Sequence, residues 1–297
     1  MSLVINHNLM ATNAARNLSQ SYGNLSTSVR RLSSGLRVGT AADDAAGLAI
    51  REIMRADIAA LNQGVRNAND AISLIQTADG ALSVIDEKLI RMKELAEQAA
   101  TGTYTSDQRL IIDSEYQAMA SEITRIANAT DFNGIYLLNG NLSSNTHDGS
   151  GLVSTGKLKV HFGTANDSAE DYYYIQIGTS TASALGVGNQ ANATSAGYTI
   201  STQSAAQNAL VGIENAIVSK DTIRANLGAL QNRLENTISN LQIQSENLQA
   251  AESRISDVDV SQEMTEFTRQ QILTQSAVAM LSQANSLPRM AMQLLGG

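Results

Sequence analysis

Three histidines, His7, His147 and His161, are the first places to look for metal binding or proton transfer. His147 is followed by Asp148, and Asp167 lies a little beyond His161, so an imidazole–carboxylate site for a metal or for acid–base work is conceivable. Neither H-x-x-H nor H-E-x-x-H occurs, and carboxylates do not gather at ligand spacing, so surface histidines are the expectation. The absence of cysteine removes disulfides, thiol nucleophiles and thiolate metal sites together. The stretch GLVSTGK (151–157) matches a phosphate loop only in part, because Leu158 follows Lys157 where Ser or Thr is needed. Asn17, Asn24, Asn141, Asn166 and Asn192 have the N-x-[ST] form; in an Asn- and Ser-rich chain these read as chance matches. Tyr172, Tyr173 and Tyr174 form an aromatic run in which strand alternation puts Tyr173 opposite its neighbours. Packing of a hairpin onto a helical body is the expected role of that run, with ligand stacking as the alternative. No catalytic, cofactor or metal site is therefore expected.

The bulk composition points the same way. Aromatics are only 4% of 297 residues, with no tryptophan, while the apolar share is 43%. Small and medium aliphatics suit narrow helix–helix seams better than a thick globular core, which uses aromatic bulk. A net charge of −8 argues against a nucleic-acid partner, which needs a basic face. The first residues, MSLVINHNLMATNAARN, lack the basic and apolar regions of a Sec signal peptide, and no apolar run is long enough to span a membrane. A single proline, Pro288, agrees with long helices.

The elements follow from periodicity. Leu18, Tyr22, Leu25, Val29 and Leu32 recur at steps of four and three, a heptad seam. It ends at Ser33-Ser34-Gly35, where Gly35 suits a left-handed cap. Thr40 and Asp43 form a capping-box-like start to a second helix that runs to about residue 100. Its seam reads Leu61, Val65, Ala68, Ile72, Ile75, Ala78, Leu82, Ile85, Leu89, Met92, Ala96, Ala99, with a stammer-like shift at Ile72–Ile75–Ala78. At ~1.5 Å per residue such a helix would be about 85 Å long, far more than a compact domain needs. A third helix over 106–129 is expected, with Ile112, Tyr116, Met119, Ile123 and Ile126 inward. Asn133-Gly134 and Asn139-Gly140 carry type I′ turn signals and open a β-hairpin region at about 131–200, with strands predicted over 157–162 and 172–177. Helix returns over 204–256 with a long seam that includes the polar Lys220, Thr237 and Gln244, and breaks at Asp257 and Asp259. A last helix carries Leu273, Ala277, Met280, Ala284, Leu287, Ala291 and Leu294. The layout is nearly mirror-symmetric, so the two terminal helices are expected to pair.

Several long motifs resemble those of bacterial flagellins. "LSSGLRVGTAADDAAGLAI" (32–50), "RNANDAISLIQTADGAL" (66–82), "KELAEQAATGT" (93–103) and "DFNGIYLLNG" (131–140) are similar to the family's N-terminal half. "RANLGALQNRLENTISNL" (224–241), "ENLQAAESRISDVDV" (246–260), "EMTEFTRQQILTQ" (263–275) and "AMLSQANSLP" (279–288) are similar to its C-terminal half. The resemblance implies a mainly α fold: a long antiparallel helical rod, a terminal coiled-coil domain made from both chain ends, and a small central β-hairpin region. The implied domains are 1–42 and 258–297 for the terminal coiled coil and 43–257 for the rod. The centre is too short for the large outer domains that many flagellins carry.

What the resemblance implies about function is a structural, non-enzymatic subunit that self-assembles into the extracellular flagellar filament, exported unfolded. A hook–filament junction protein is the alternative. Leu18, Tyr22, Leu25, Val29, Leu32, Leu273, Met280, Leu287 and Leu294 would form the terminal assembly seam. Arg91, Leu95 and Glu115 match positions that, in related flagellins, contribute to subunit contacts and to recognition by the innate receptor TLR5. Implied partners are further copies of the chain, an export chaperone on the C-terminal helix, and the filament cap and hook-junction proteins, with neither nucleic acid nor membrane.

Overall fold

A computed structural model of the protein describes residues 8–149, 155–168, 170–188 and 199–295, with side chains omitted at 287–289 and 291–295. His7, Asn192 and most of the 151–157 stretch lie outside the described residues. In chain order the elements are α1 (Leu9–Ser34), α2 (Ala45–Ala100), α3 (Ser106–Ala129), β1 (Asp131–Phe132), β2 (Ile135–Tyr136), β3 (His147–Asp148), β4 (Thr155–Gly156), β5 (Leu158–His161), β6 (Tyr172–Ile175), α4 (Ala182–Leu185), α5 (Gln203–Ser256) and α6 (Val260–Leu295). The strands pair in sequence order as three antiparallel two-stranded sheets. The fold is mainly α, as the sequence led one to expect. By packing, the chain divides into Met1–Ile58 with Glu246–Gly297 and Ala59–Ser245, so α2 and α5 each contribute to both units.

In the 59–245 unit, α2 runs antiparallel to α5. Asp86 meets Lys220, Asp79 meets Arg224 at 2.7 Å, and Asn62 accepts a hydrogen bond from Ser245 at 3.4 Å. Between these pairs the buried row of α2 is Leu61, Gly64, Ala68, Ala71, Ile75, Ala78, Leu82, Ile85, Leu89, Met92, Ala96, Ala99. Its steps alternate three and four without interruption, so the stammer expected at Ile72–Ile75–Ala78 does not exist. The seam passes through Gly64 and Ala71 rather than Val65 and Ile72, which are only half-buried. Close helix approach favours the small residue, while a reading that weights hydrophobicity picks its larger neighbour. On α5 the seam likewise turns inward at Ser245 and not at Gln244, which is exposed.

Helix ends follow local capping chemistry. Gly35 takes φ +73° and its N–H donates to Arg31 O at 2.8 Å. Thr105 and Gln108 form a reciprocal capping box that starts α3. The cap of α2 is Asp44, whose Oδ1 accepts from the N–H groups of Ala46 and Gly47 at 3.0 and 2.9 Å. Thr40 and Asp43 instead close the turn before the helix, with the Thr40 hydroxyl donating to Asp43 at 2.8 Å. That corrects the expected start. Asn133 and Gly134 both have positive φ, the type I′ signature, and β1 pairs with β2 across them. At Asn139-Gly140 only the glycine has positive φ, and Asn139 Oδ1 instead accepts from the N–H of Asn141, so this second signal closes an Asx-type turn.

The β5–β6 hairpin lies against α2 and α5. A Cβ on Gly64 would fall 2.0 Å from Phe162 O, so the helix and the hairpin backbone touch there only because residue 64 has no side chain. Asn67 Nδ2 donates to His161 O beside it at 2.8 Å. Val160, Phe162, Ile175 and Ile177 are buried beneath, and Arg233 of α5 stacks on Tyr173 at 3.6 Å. Tyr173 thus packs inward, opposite Tyr172 and Tyr174, as strand alternation predicts.

Candidate functional site

The unit made from the two chain ends has α1 antiparallel to α6. Asn8 Nδ2 donates to Ala284 O at 2.8 Å, and Arg31 pairs with Glu263 at 3.7 Å at the other end. The inward row of α1 is Ala11, Ala14, Leu18, Ser21, Leu25, Ser28 and Leu32. The inward row of α6 is Glu263, Phe267, Gln270, Thr274, Ala277, Leu281 and Ala284. Both step strictly by three and four, and small side chains recur in each, which lets the two backbones approach closely.

Of the seam residues read from sequence, Leu18, Leu25 and Leu32 are half-buried in this row. Tyr22, Val29, Leu273 and Met280 are exposed on its flanks, Met280 at 66%. Leu287 and Leu294 belong to α6, but their side chains lie outside the described residues. The sequence signal blends two faces: an inner row that pairs the ends, and an outer apolar row that none of the described residues covers. Choosing large residues finds the outer row; the inner one uses Ser21, Ser28 and Thr274. Between the helices lies a groove of about 840 Å³, lined by Met10, Asn17, Gln20, Leu273, Met280 and Gln283 among others. Its walls are nearly charge-free: Arg16 is the one charge in 8–29, and 270–288 holds none.

The two breaks lie side by side. Leu36 bridges to Asp257, Arg37 N donates to Ser256 O at 2.7 Å, and Val258 N donates to Gly35 O at 3.0 Å. The Arg37 guanidinium donates to the carbonyls of Arg254 and Ile255 at 3.3 and 2.7 Å, capping the end of α5 where the helix dipole is negative. Arg51, which is buried, donates to Val38 O at 2.8 Å and faces Glu252 at 3.7 Å. The Thr40 hydroxyl, followed by the Thr40 N–H and by Arg30 at 2.7 Å, holds the Asp43 carboxyl below the usual carboxylate range. Neither Arg37 nor Arg51 carries a sequence signal, because an arginine that caps a distant helix looks like any surface arginine.

Arg91 and Glu115 meet on the surface of the other unit. The guanidinium donates to Glu115 Oε1 at 3.0 and 2.8 Å and to Glu94 at 2.9 Å. Glu115 first and Glu94 second raise the Arg91 pKa above its ordinary value. Leu95, read from sequence as part of the same contact surface, is instead 2% exposed inside the unit. It sits one step off the seam, where α2 faces inward a second time. Near the pair, Ile90, Leu110 and Ile111 are exposed, the last at 73%. Among the described residues no group of three or more His, Asp or Glu could hold a metal, and no helix is long and apolar enough to cross a membrane.

Comparison with known proteins bears on both chain ends. The family model of the bacterial flagellin N-terminal helical region matches residues 5–143, and that of the bacterial flagellin C-terminal helical region matches residues 210–295. A flagellin of Halalkalibacterium halodurans is 42% identical over 293 residues, which is 99% of this chain and 100% of the relative. The flagellar filament 33 kDa core protein of Treponema phagedenis is 40% identical over the same shares of both chains. Among solved structures, the crystal structure of Bacillus cereus flagellin is 28% identical, covering 63% of this chain and 94% of that one at a TM-score of 0.45.

Proposed function

From the premise that the chain belongs to the bacterial flagellin family, we propose a division of labour among its surfaces. The protein is a structural subunit of the extracellular flagellar filament, of a short form. The alternative of a hook-junction protein is not favoured, because the flagellins match over essentially their whole length. The carrying observation is the terminal helix pair: its inner row is satisfied within the chain, while Tyr22, Val29, Leu273 and Met280 remain in water. An apolar row of this kind is a contact surface awaiting neighbours. In our reading those neighbours are other copies of the chain. Before assembly, an export chaperone covers the α6 side. Residues 1–42 and 258–297 act as the terminal coiled-coil domain, 43–257 act as the rod, and the polymer meets cap and hook-junction proteins at its ends. Arg91 and Glu115 belong to the contact surface between stacked subunits and, through the resemblance, to any recognition by TLR5. The role is structural and not enzymatic.

The test is truncation after Asp259. The remaining chain should keep its main melting transition and its helical signal, yet fail to elongate seeded filaments in negative-stain images and fail to bind an export chaperone. Outright unfolding of the truncated chain would mean that α6 belongs to a core rather than to an assembly surface.

A further inference from the structure

The outer face of the β5–β6 hairpin is not used by the assembly reading. In a chain with 4% aromatics, two of eight tyrosines and two of three histidines converge on it. The register pairs Lys159 with Tyr174 and His161 with Tyr172, so alternate residues of both strands face one way. Tyr172 and Tyr174 meet edge to face at 5.4 Å. The His161 ring stacks on Tyr172 at 6.1 Å, and the His147 ring of β3, in a separate two-stranded sheet, approaches Tyr174 at 5.7 Å. Lys159 Nζ sits 3.6 Å from the centre of Tyr172, and Lys157 Nζ 5.4 Å from that of Tyr174. Tyr174 is 38% exposed, although the hairpin is already anchored by its opposite face through Phe162, Tyr173 and Ile175. Anchoring therefore does not explain the outer rings.

We infer that this face is a binding site for an extended anionic polysaccharide outside the cell. Three features select that occupant. Tyr174 is exposed and Tyr172, Lys157, Lys159 and His161 lie half-buried in a row beside it, a strip that suits a chain better than a small molecule. The exposed Tyr174 ring, with the half-buried Tyr172 against it, offers a flat apolar surface to sugar C–H groups and a hydroxyl to sugar oxygens. The two ammonium groups, of Lys159 on β5 and of Lys157 in the bend just before it, supply paired positive charge on a protein whose net charge is −8. Alongside runs a cleft of about 610 Å³ lined by Tyr174, Gln176, Asn226 and Arg233 among others, where the Asn226 amide and the Arg233 guanidinium can hydrogen-bond hydroxyls and carboxylates. A polysaccharide lying across the rings continues into it.

The experiment uses full-length protein, as monomer and as filament, with polygalacturonate, dextran sulfate, neutral dextran and poly(U) as probes. Wild type should bind at least one of the two acidic glycans in both forms, more tightly than it binds neutral dextran and poly(U). Lys157→Gln/Lys159→Gln should weaken this binding about tenfold and flatten its salt dependence. Tyr174→Ala should weaken it to a similar extent with the lysines intact, and circular dichroism should show both variants folded. Absence of binding to either acidic glycan overturns the inference. So does undiminished binding by the lysine variant, or neutral dextran held as tightly. Loss in the lysine variant alone, with Tyr174→Ala unchanged, reduces the effect to nonspecific charge and also overturns it. Tighter binding of poly(U) would replace the occupant with a nucleic acid.

Discussion

Lys220 is 1% exposed and occupies a seam position between Ala216 and Ile223, where the pattern calls for an apolar residue. Its ammonium pairs with Asp86 across the helix interface and with Asp221 at 2.8 Å. The partners differ in their access to water: the Asp86 side chain is 29% exposed and that of Asp221 59%. Removing one partner of a buried ion pair costs ~3–5 kcal/mol, because the other charge stays buried and unpaired. Here Lys220 keeps a second, well-hydrated carboxylate, so Asp86→Ala should cost less, about 2 kcal/mol. Lys220→Met keeps the stem's volume and removes the buried charge, leaving behind two carboxylates that water can reach. Its stability should fall within about 1 kcal/mol of wild type in either direction. The double variant should match Lys220→Met rather than the sum of the two, because the penalty of Asp86→Ala exists only while the lysine is present. Urea unfolding of the monomer, followed by far-UV circular dichroism, measures all three. If Lys220→Met proves more costly than Asp86→Ala, the ammonium is a net source of stability and the desolvation reasoning fails.

Leu95→Asp should unfold or severely destabilise the monomer, by about 3–5 kcal/mol, because it buries an unpaired charge. Arg91→Ala and Glu115→Ala should leave monomer melting nearly unchanged, as exposed ion pairs do, while slowing seeded filament growth; normal growth in both would remove Arg91 and Glu115 from the contact surface. Gly64→Ala should push the hairpin off α2, seen as faster hydrogen exchange across 158–175 with the helices still protected; unchanged exchange there would mean the backbone shifts to accommodate a methyl group. The Asp43 pKa is lowered on folding, so its contribution is present above the unfolded carboxylate value of about 3.9 and is lost as pH falls through the folded value. An acid titration of wild type against Asp43→Asn should therefore show the two curves apart near neutral pH and converging in acid; curves that stay parallel throughout would assign Asp43 no such role.

Helix existence and extent were legible because their signals are local and redundant. Periodicity and Gly35 together place α1, α2 and α3 closely. The inner rows were less legible. Gly64, Ala71, Ser21 and Ser28 are inward because backbones approach there, and approach distance is a property of two helices together. Hydrophobicity favoured their neighbours Val65, Ile72, Tyr22 and Val29. The same bias produced the false stammer in α2. The role of Arg37 was invisible for a different reason: its acceptors, the carbonyls of Arg254 and Ile255, lie 217 and 218 positions away. Tyr173 was read correctly because strand alternation depends on nothing beyond its immediate neighbours.

The pairing of α1 with α6 has a consequence for timing. Asn8 meets Ala284 across 276 positions of chain, and Gly35 meets Val258 across most of that span. Whichever end emerges first into solution must wait, with its apolar row in water, until nearly all of the intervening chain has followed. A molecule interrupted between the two breaks lacks α6 and cannot close its ends. On the proposed assembly reading, the clasp would act as a check on completeness, because the terminal pair needs both α1 and α6.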